Sequence, residues 1–236
     1  MGENRSRRAR ADRSGPGLSR ADVVEAALRF VDVHGLEALS MRTLAKEMGV
    51  YPNALHWHVG TKSELVAAVA ARVLEDIVLP PQRDMPWDAW VAEVARLCRR
   101  AMHQHPNLSP VIGSQLGVTA SSLPFVERMV DVLERAGFSA EDLIHAYNTV
   151  TGFILGWVTL ELSSGPATED EDWKKGFAKQ LRSVNPNVYP ALTRNMKLLE
   201  NNAFMTRWDS GCERPMDLSF EAALEVQILG LRAKLT

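Results

Sequence analysis

Two cysteines, Cys98 and Cys212, stand in 236 residues. That is too few for a disulfide framework, and they lie too far apart to begin a structural zinc site, which needs about four closely spaced ligands. With no signal-like N-terminus, their scarcity predicts a reducing, cytoplasmic setting. Charge of one sign is missing as well. The 27 Lys+Arg face 29 Asp+Glu for a formal net charge of −2, which excludes a protein that coats nucleic acid by bulk positive charge. No long hydrophobic run survives inspection: residues 143–160 carry no formal charge but include His145, Asn148, Thr149, Thr151 and Thr159. They predict a buried helix rather than a membrane span, and no membrane partner is expected. The chain also lacks a Gly-x-Ser-x-Gly elbow, a Gly-rich phosphate loop and a His-Glu-x-x-His pair, so no catalytic set, metal site or cofactor is expected. β-Branched runs bounded by hairpin turns are absent too.

What remains, in a chain that is 46% hydrophobic, is helical periodicity, and the fold class it predicts is all-α. Residues 1–17 are the exception. Arg5, Arg7, Arg8, Arg10 and Arg13 with Ser14-Gly15-Pro16-Gly17 offer nothing to bury, which predicts a disordered basic arm. Ser19 and Asp22 then cap a first helix of about 15 residues that stops at Gly35. A second runs from Met41 to about Met48 with Ser40 as its cap, and Gly49 supplies a sharp turn. A third opens at Pro52, a residue suited to a first helical position. Thr61-Lys62-Ser63-Glu64 starts a fourth, expected to reach about Val78 before Pro80-Pro81. Further apolar faces are traced by Trp87 to Met102, by Phe125 to Ala136, by the uncharged stretch between Asp142 and Glu161, and by Leu218 to Leu235. The last two carry apolar residues on more than one side, which predicts a helix-helix homodimer interface. The acid-rich segment 165–172 and the segment 201–215 read as surface connections, and carboxylates along the helices as solvated faces.

Three short helices, the second and third joined by a Gly-containing turn, make a helix-turn-helix whose third helix is expected to enter the major groove of DNA. On that helix Leu55 and Val59 take the core positions. Asn53, Ala54, His56, Trp57 and His58 are left outward or at the edges, residue types that read base edges or bind phosphates. A metal is not the better explanation of His56-x-His58, because residues i and i+2 on a helix point in different directions. His103-x-His105 has the same defect.

These segments resemble the TetR family of bacterial transcriptional repressors. The resemblance covers residues 18–66 through Gly35-Leu36-Glu37-Ala38-Leu39-Ser40-Met41-Arg42-Thr43-Leu44-Ala45, Gly49-Val50 and Leu55-His56-Trp57-His58-Val59-Gly60-Thr61-Lys62-Ser63-Glu64-Leu65, and Trp57-His58-Val59 is similar to the tetracycline-repressor branch. It implies DNA contacts from Ser40, Arg42, Thr43, Tyr51, Asn53, Ala54, His56, Trp57, His58 and Lys62. Two departures bear on those contacts. Tyr51 replaces a frequent small capping residue, and His56 stands where Tyr is usual.

From Trp87 to about Leu162 the chain also resembles the regulatory part of tetracycline-repressor-like proteins, which implies that residues 67–236 hold an effector and form the dimer. The corresponding effector positions fall near Val78, Val94, Cys98, Met129 and Gly152, with Met102 as a further wall residue and Tyr147, Asn148 and Thr151 as polar handles. A wall so poor in donors would leave a tetracycline-magnesium complex unpaired, so the expected effector is a different, mostly apolar molecule. The function implied is a homodimeric repressor that binds palindromic operator DNA and is released by that effector. The alternative is an architectural or co-regulatory DNA-binding protein that needs no ligand.

Overall fold

The structure, a computed structural model, describes residues 17–82, 85–114, 123–163 and 171–235. Among these residues the chain forms eleven α-helices and no strand. The basic arm proposed for residues 1–17 lies almost wholly outside them. The chain divides into two compact units, one up to Val69 and one from Ala70.

In the first unit each helix begins where local chemistry can satisfy its unpaired N–H groups. Helix α1 (Arg20–His34) starts on a reciprocal cap: Asp22 N–H donates to Ser19 Oγ at 3.1 Å, and Ser19 N–H donates to Asp22 Oδ2 at 2.9 Å. Those hydrogen bonds hold the Asp22 carboxyl below its ordinary pKa. Helix α2 (Met41–Met48) repeats the device with Ser40 and Thr43. It ends at Gly49, whose φ of 67° is left-handed and costs an L side chain strain. Helix α3 (Pro52–Val59) has no side-chain cap, and Pro52 replaces one by removing an N–H. Helix α4 (Lys62–Glu75) opens on the Thr61–Glu64 box. It stops at Glu75, short of the expected end near Val78. Val23, Ala27, Leu28 and Val31 of α1, Leu44 and Ala45 of α2, and Leu55 and Val59 of α3 are buried together with Leu39 and Leu65. The three-helix unit is thus closed by its apolar stripes.

In the second unit α5 (Trp87–Gln104), α7 (Leu123–Ala136), α8 (Ala140–Leu162) and α11 (Asp217–Arg232) enclose one core of Trp90, Val94, Cys98, Met129, Ile154 and Phe220 among others. A short 3-10 turn, Pro106–Leu108, and α6 (Ser109–Ser114) follow α5. Helices α9 (Glu171–Arg182) and α10 (Pro190–Leu199) lie almost wholly between the two segments that read from the sequence as surface connections, where no helix was expected.

Two of those readings need correction. The segment 201–215 is packed rather than superficial: buried Asn201, at a left-handed φ of 56°, accepts the N–H groups of Trp208 and Asp209 at 3.1 Å and donates to Asp209 Oδ2 at 2.6 Å. Gly211 reaches Glu161 O through its N–H at 2.7 Å, and a Cβ there would come within 2.6 Å of Glu161 Cγ. Glu161 itself is 0% exposed, not on a solvated face. Its carboxylate accepts Arg99 Nε at 2.8 Å, Arg99 Nη2 at 2.6 Å and the Met216 N–H at 2.8 Å, with His103 Nε2 at 3.3 Å. Burial alone would raise its pKa, yet the donors from Arg99, His103 and Met216 hold it well below the ordinary carboxylate range. Arg99 also binds Asp217 at 2.7 Å, so the pair fastens the start of α11 to α5 and α8.

Candidate nucleic-acid interface

Helix α3 buries Leu55 and Val59 at an i, i+4 spacing, and this turns the opposite side outward by geometry alone. Tyr51 and Trp57 are 85% and 87% exposed, unusual for such large apolar rings. Asn53 and His56 are exposed with them, whereas Ala54 and His58 are half-buried and sit at the edges. His56 is held down by its own turn. Its Nδ1 lies 2.8 Å from Gly60 O, while Gly60 N–H donates to His56 O at 3.0 Å. Gly60 has a φ of 71°, and a Cβ there would run into the Glu64 carboxylate.

Around α3 stand the other residues named from the sequence. Arg42 is exposed near the start of α2, and Lys62 is the exposed first residue of α4. The Ser40 and Thr43 hydroxyls are occupied in the α2 cap, and Thr43 Oγ1 also donates to Ala38 O at 3.0 Å. Lys46, not named from the sequence, is exposed one turn beyond Arg42 on α2. The i, i+4 spacing of two cations was the available signal. The unit therefore presents aromatic rings, one amide, imidazoles and three cations from α2, α3 and the start of α4. Such a set suits a phosphate backbone and base edges rather than bond-making chemistry.

The residues named for an effector fare unevenly. Val94, Cys98 and Met129 are buried in one core cluster with Tyr147 packed against it, and Met102 is buried further along α5. Thr151 is half-buried, with an Oγ1 that is fully enclosed and has no hydrogen-bond partner among the described residues. Two others are not brought to this set: Val78 is 85% exposed, because α4 has already ended, and Asn148 lies on an exposed side of α8. Burial pushes the Cys98 thiol up to about 12, so it is not a thiolate at neutral pH. Four cavities in this unit are walled by other residues. One, a groove of about 770 Å³ between α5 and α11, sets Ala92 and Ile228 among Asp88, Glu93, Arg96 and Arg232.

Comparison with known proteins agrees with this division of labour. The family model for the tetracyclin repressor-like C-terminal domain matches residues 79–235, and that for bacterial regulatory proteins of the tetR family matches residues 23–69. The tetracycline repressor protein class A from transposon 1721 of Escherichia coli is 30% identical over 212 residues, 89% of this chain and 88% of that protein. Among solved structures, the Streptomyces coelicolor TetR family protein ActR in complex with actinorhodin superposes with a TM-score of 0.74 at 26% identity, covering 92% of this chain and 98% of that one. BioQ with its double-stranded DNA operator gives 0.56 at 29% identity over 75% and 99%. With an N-terminal helix-turn-helix and a helical C-terminal domain each matched in turn, the chain belongs to the TetR family of bacterial transcriptional regulators, related to the tetracycline repressors.

Proposed function

We propose that this regulator is a cytoplasmic homodimer that represses by seating its two α3 helices on a palindromic operator and lets go when a small, mostly apolar effector occupies the C-terminal unit. The observation that carries the DNA half is α3 itself, eight residues long and anchored by Leu55 and Val59, with Tyr51, Asn53, His56 and Trp57 left to solvent. BioQ, a relative bound to its operator, supports the same use of this unit. The Arg-rich residues 1–17 add cations that can follow the phosphate backbone into an adjacent groove.

The dimer rests on two unpartnered faces. Helix α8 is long and apolar enough, by length and composition alone, to cross a membrane, and only 22% of its most apolar window is buried within the chain. Ile144, Gly152, Gly156 and Leu160 are exposed on it, as are Leu218, Ala222, Val226 and Leu229 on α11. A two-fold arrangement lets these faces cover each other, the closed solution for identical subunits.

For the effector, the buried and unpaired Thr151 hydroxyl beside an apolar core is a polar handle awaiting a partner. A relative that holds actinorhodin favours an organic ligand of that kind. The mechanism is a population shift, since a ligand releases DNA only by favouring the spacing of reading helices that does not fit it. Fluorescence anisotropy of an operator selected from a randomised duplex library, titrated with aromatic and aliphatic small molecules, tests this. Release by a ligand that also raises thermal stability supports it. Binding that no ligand disturbs favours the architectural reading.

A further inference from the structure

On the DNA reading above, His56 stands where Tyr is usual, and its hydrogen bonding restricts what it can say to DNA. A backbone carbonyl only accepts. The 2.8 Å contact between His56 Nδ1 and Gly60 O therefore requires that Nδ1 carry the proton. In a neutral imidazole the other nitrogen, Nε2, is then an acceptor with a free lone pair. No other residue takes that nitrogen among the described hydrogen bonds, and the side chain is exposed on the side of α3 that carries Asn53, three residues earlier.

We infer that His56 is a specificity-determining residue that accepts a hydrogen bond from an exocyclic amino group in the major groove, adenine N6 or cytosine N4, rather than a contact to phosphate. A phosphate oxygen offers no proton to an acceptor, whereas adenine and cytosine both display an amino group in that groove and guanine and thymine display only acceptors there. The ring is also pre-set. The Nδ1 bond to Gly60 O fixes it without a partner, and only a residue tolerant of a left-handed φ serves at Gly60.

The test uses the full chain and duplexes selected from a randomised library. For the wild type, one position in each half-site should prefer adenine or cytosine. His56→Ala and His56→Phe should erase that preference, with a loss of discrimination of roughly 5- to 30-fold, while other positions stay as they are. Nitrogen-15 NMR of the free protein should show the proton on Nδ1. Three results overturn the inference: a proton on Nε2, a loss that is equal for all sequences, or a wild-type affinity that climbs as pH falls with a salt slope that both variants flatten. The last pair marks a protonated phosphate contact. Trp57→Ala and Lys62→Ala serve as controls. If neither weakens binding, α3 is not the reader, and the DNA reading fails together with the inference. If both do, only the His56 assignment is at stake.

Discussion

At the scale of single residues the proposed interface separates into positioning and reading. Lys62 stands at the first turn of α4, exposed and beside no base-reading side chain of its own helix. Lys62→Ala should weaken binding to every sequence alike and reduce the salt slope by about one charge, measured as affinity against salt concentration. Trp57 is 87% exposed, so Trp57→Ala removes little packing. Its melting temperature should stay within a few degrees of wild type while operator affinity falls, and an affinity unchanged in both Trp57→Ala and Lys62→Ala would sink the assignment of α3. Thr151 is the opposite case, a half-buried residue whose enclosed hydroxyl has no hydrogen-bond partner among the described residues. Thr151→Val keeps the shape and removes an unpaired hydroxyl, so stability should hold or rise by up to about 1 kcal/mol in a thermal melt. If that hydroxyl is the effector's handle, the same variant needs more effector to release operator.

Among elements, α8 and α11 carry the most unfinished surface. Leu229→Glu places a charge on the exposed apolar side of α11 and leaves the inward Leu224, Ile228 and Leu231 untouched. Light scattering should report a folded monomer with poor operator affinity, since one reading helix alone forgoes half the site. A dimer that survives this change would place the interface elsewhere. The joint between α5, α8 and α11 depends on Glu161, whose loss leaves Arg99 largely buried with Asp217 as its remaining carboxylate. Glu161→Ala should cost about 3 kcal/mol, or roughly 6–12 °C in melting temperature. The sign of its pH dependence follows from a folded-state pKa that is lowered. The stabilisation is fully present above the unfolded carboxyl pKa and disappears as pH falls toward the folded one. The gap between wild type and Glu161→Gln should therefore be constant above about pH 6 and shrink below about pH 4.5.

For the molecule as a whole, the proposed function is a coupling between two units whose division falls within helix α4. The strongest sequence signals and the strongest structural ones coincide in the first unit. Ser19-Asp22, Ser40-Thr43 and Thr61-Glu64 form the caps, Gly49 turns, and Leu55 and Val59 anchor. In the second unit the apolar faces of α5, α7, α8 and α11 were legible, but α9 and α10 were not. Both are short and mostly polar, and their apolar stripes, Trp173, Phe177 and Leu181 on α9 and Leu192, Met196 and Leu199 on α10, run for only three residues each.

The amino-acid sequence by itself determined the elements whose causes are local: where a helix starts, which glycine ends it, which side it buries, and hence which side chains of α3 are outward. Such features depend on neighbours three or four positions apart, and those neighbours can be counted along the chain. Only the tertiary structure decided that Glu161, apparently one more surface carboxylate, is buried against Arg99 62 positions away. It likewise decided that Gly211 must lack a side chain to approach it and that Val78 stays in solvent. These outcomes turn on desolvation and on partners brought together by folding, and neither quantity is a property of spacing along a chain.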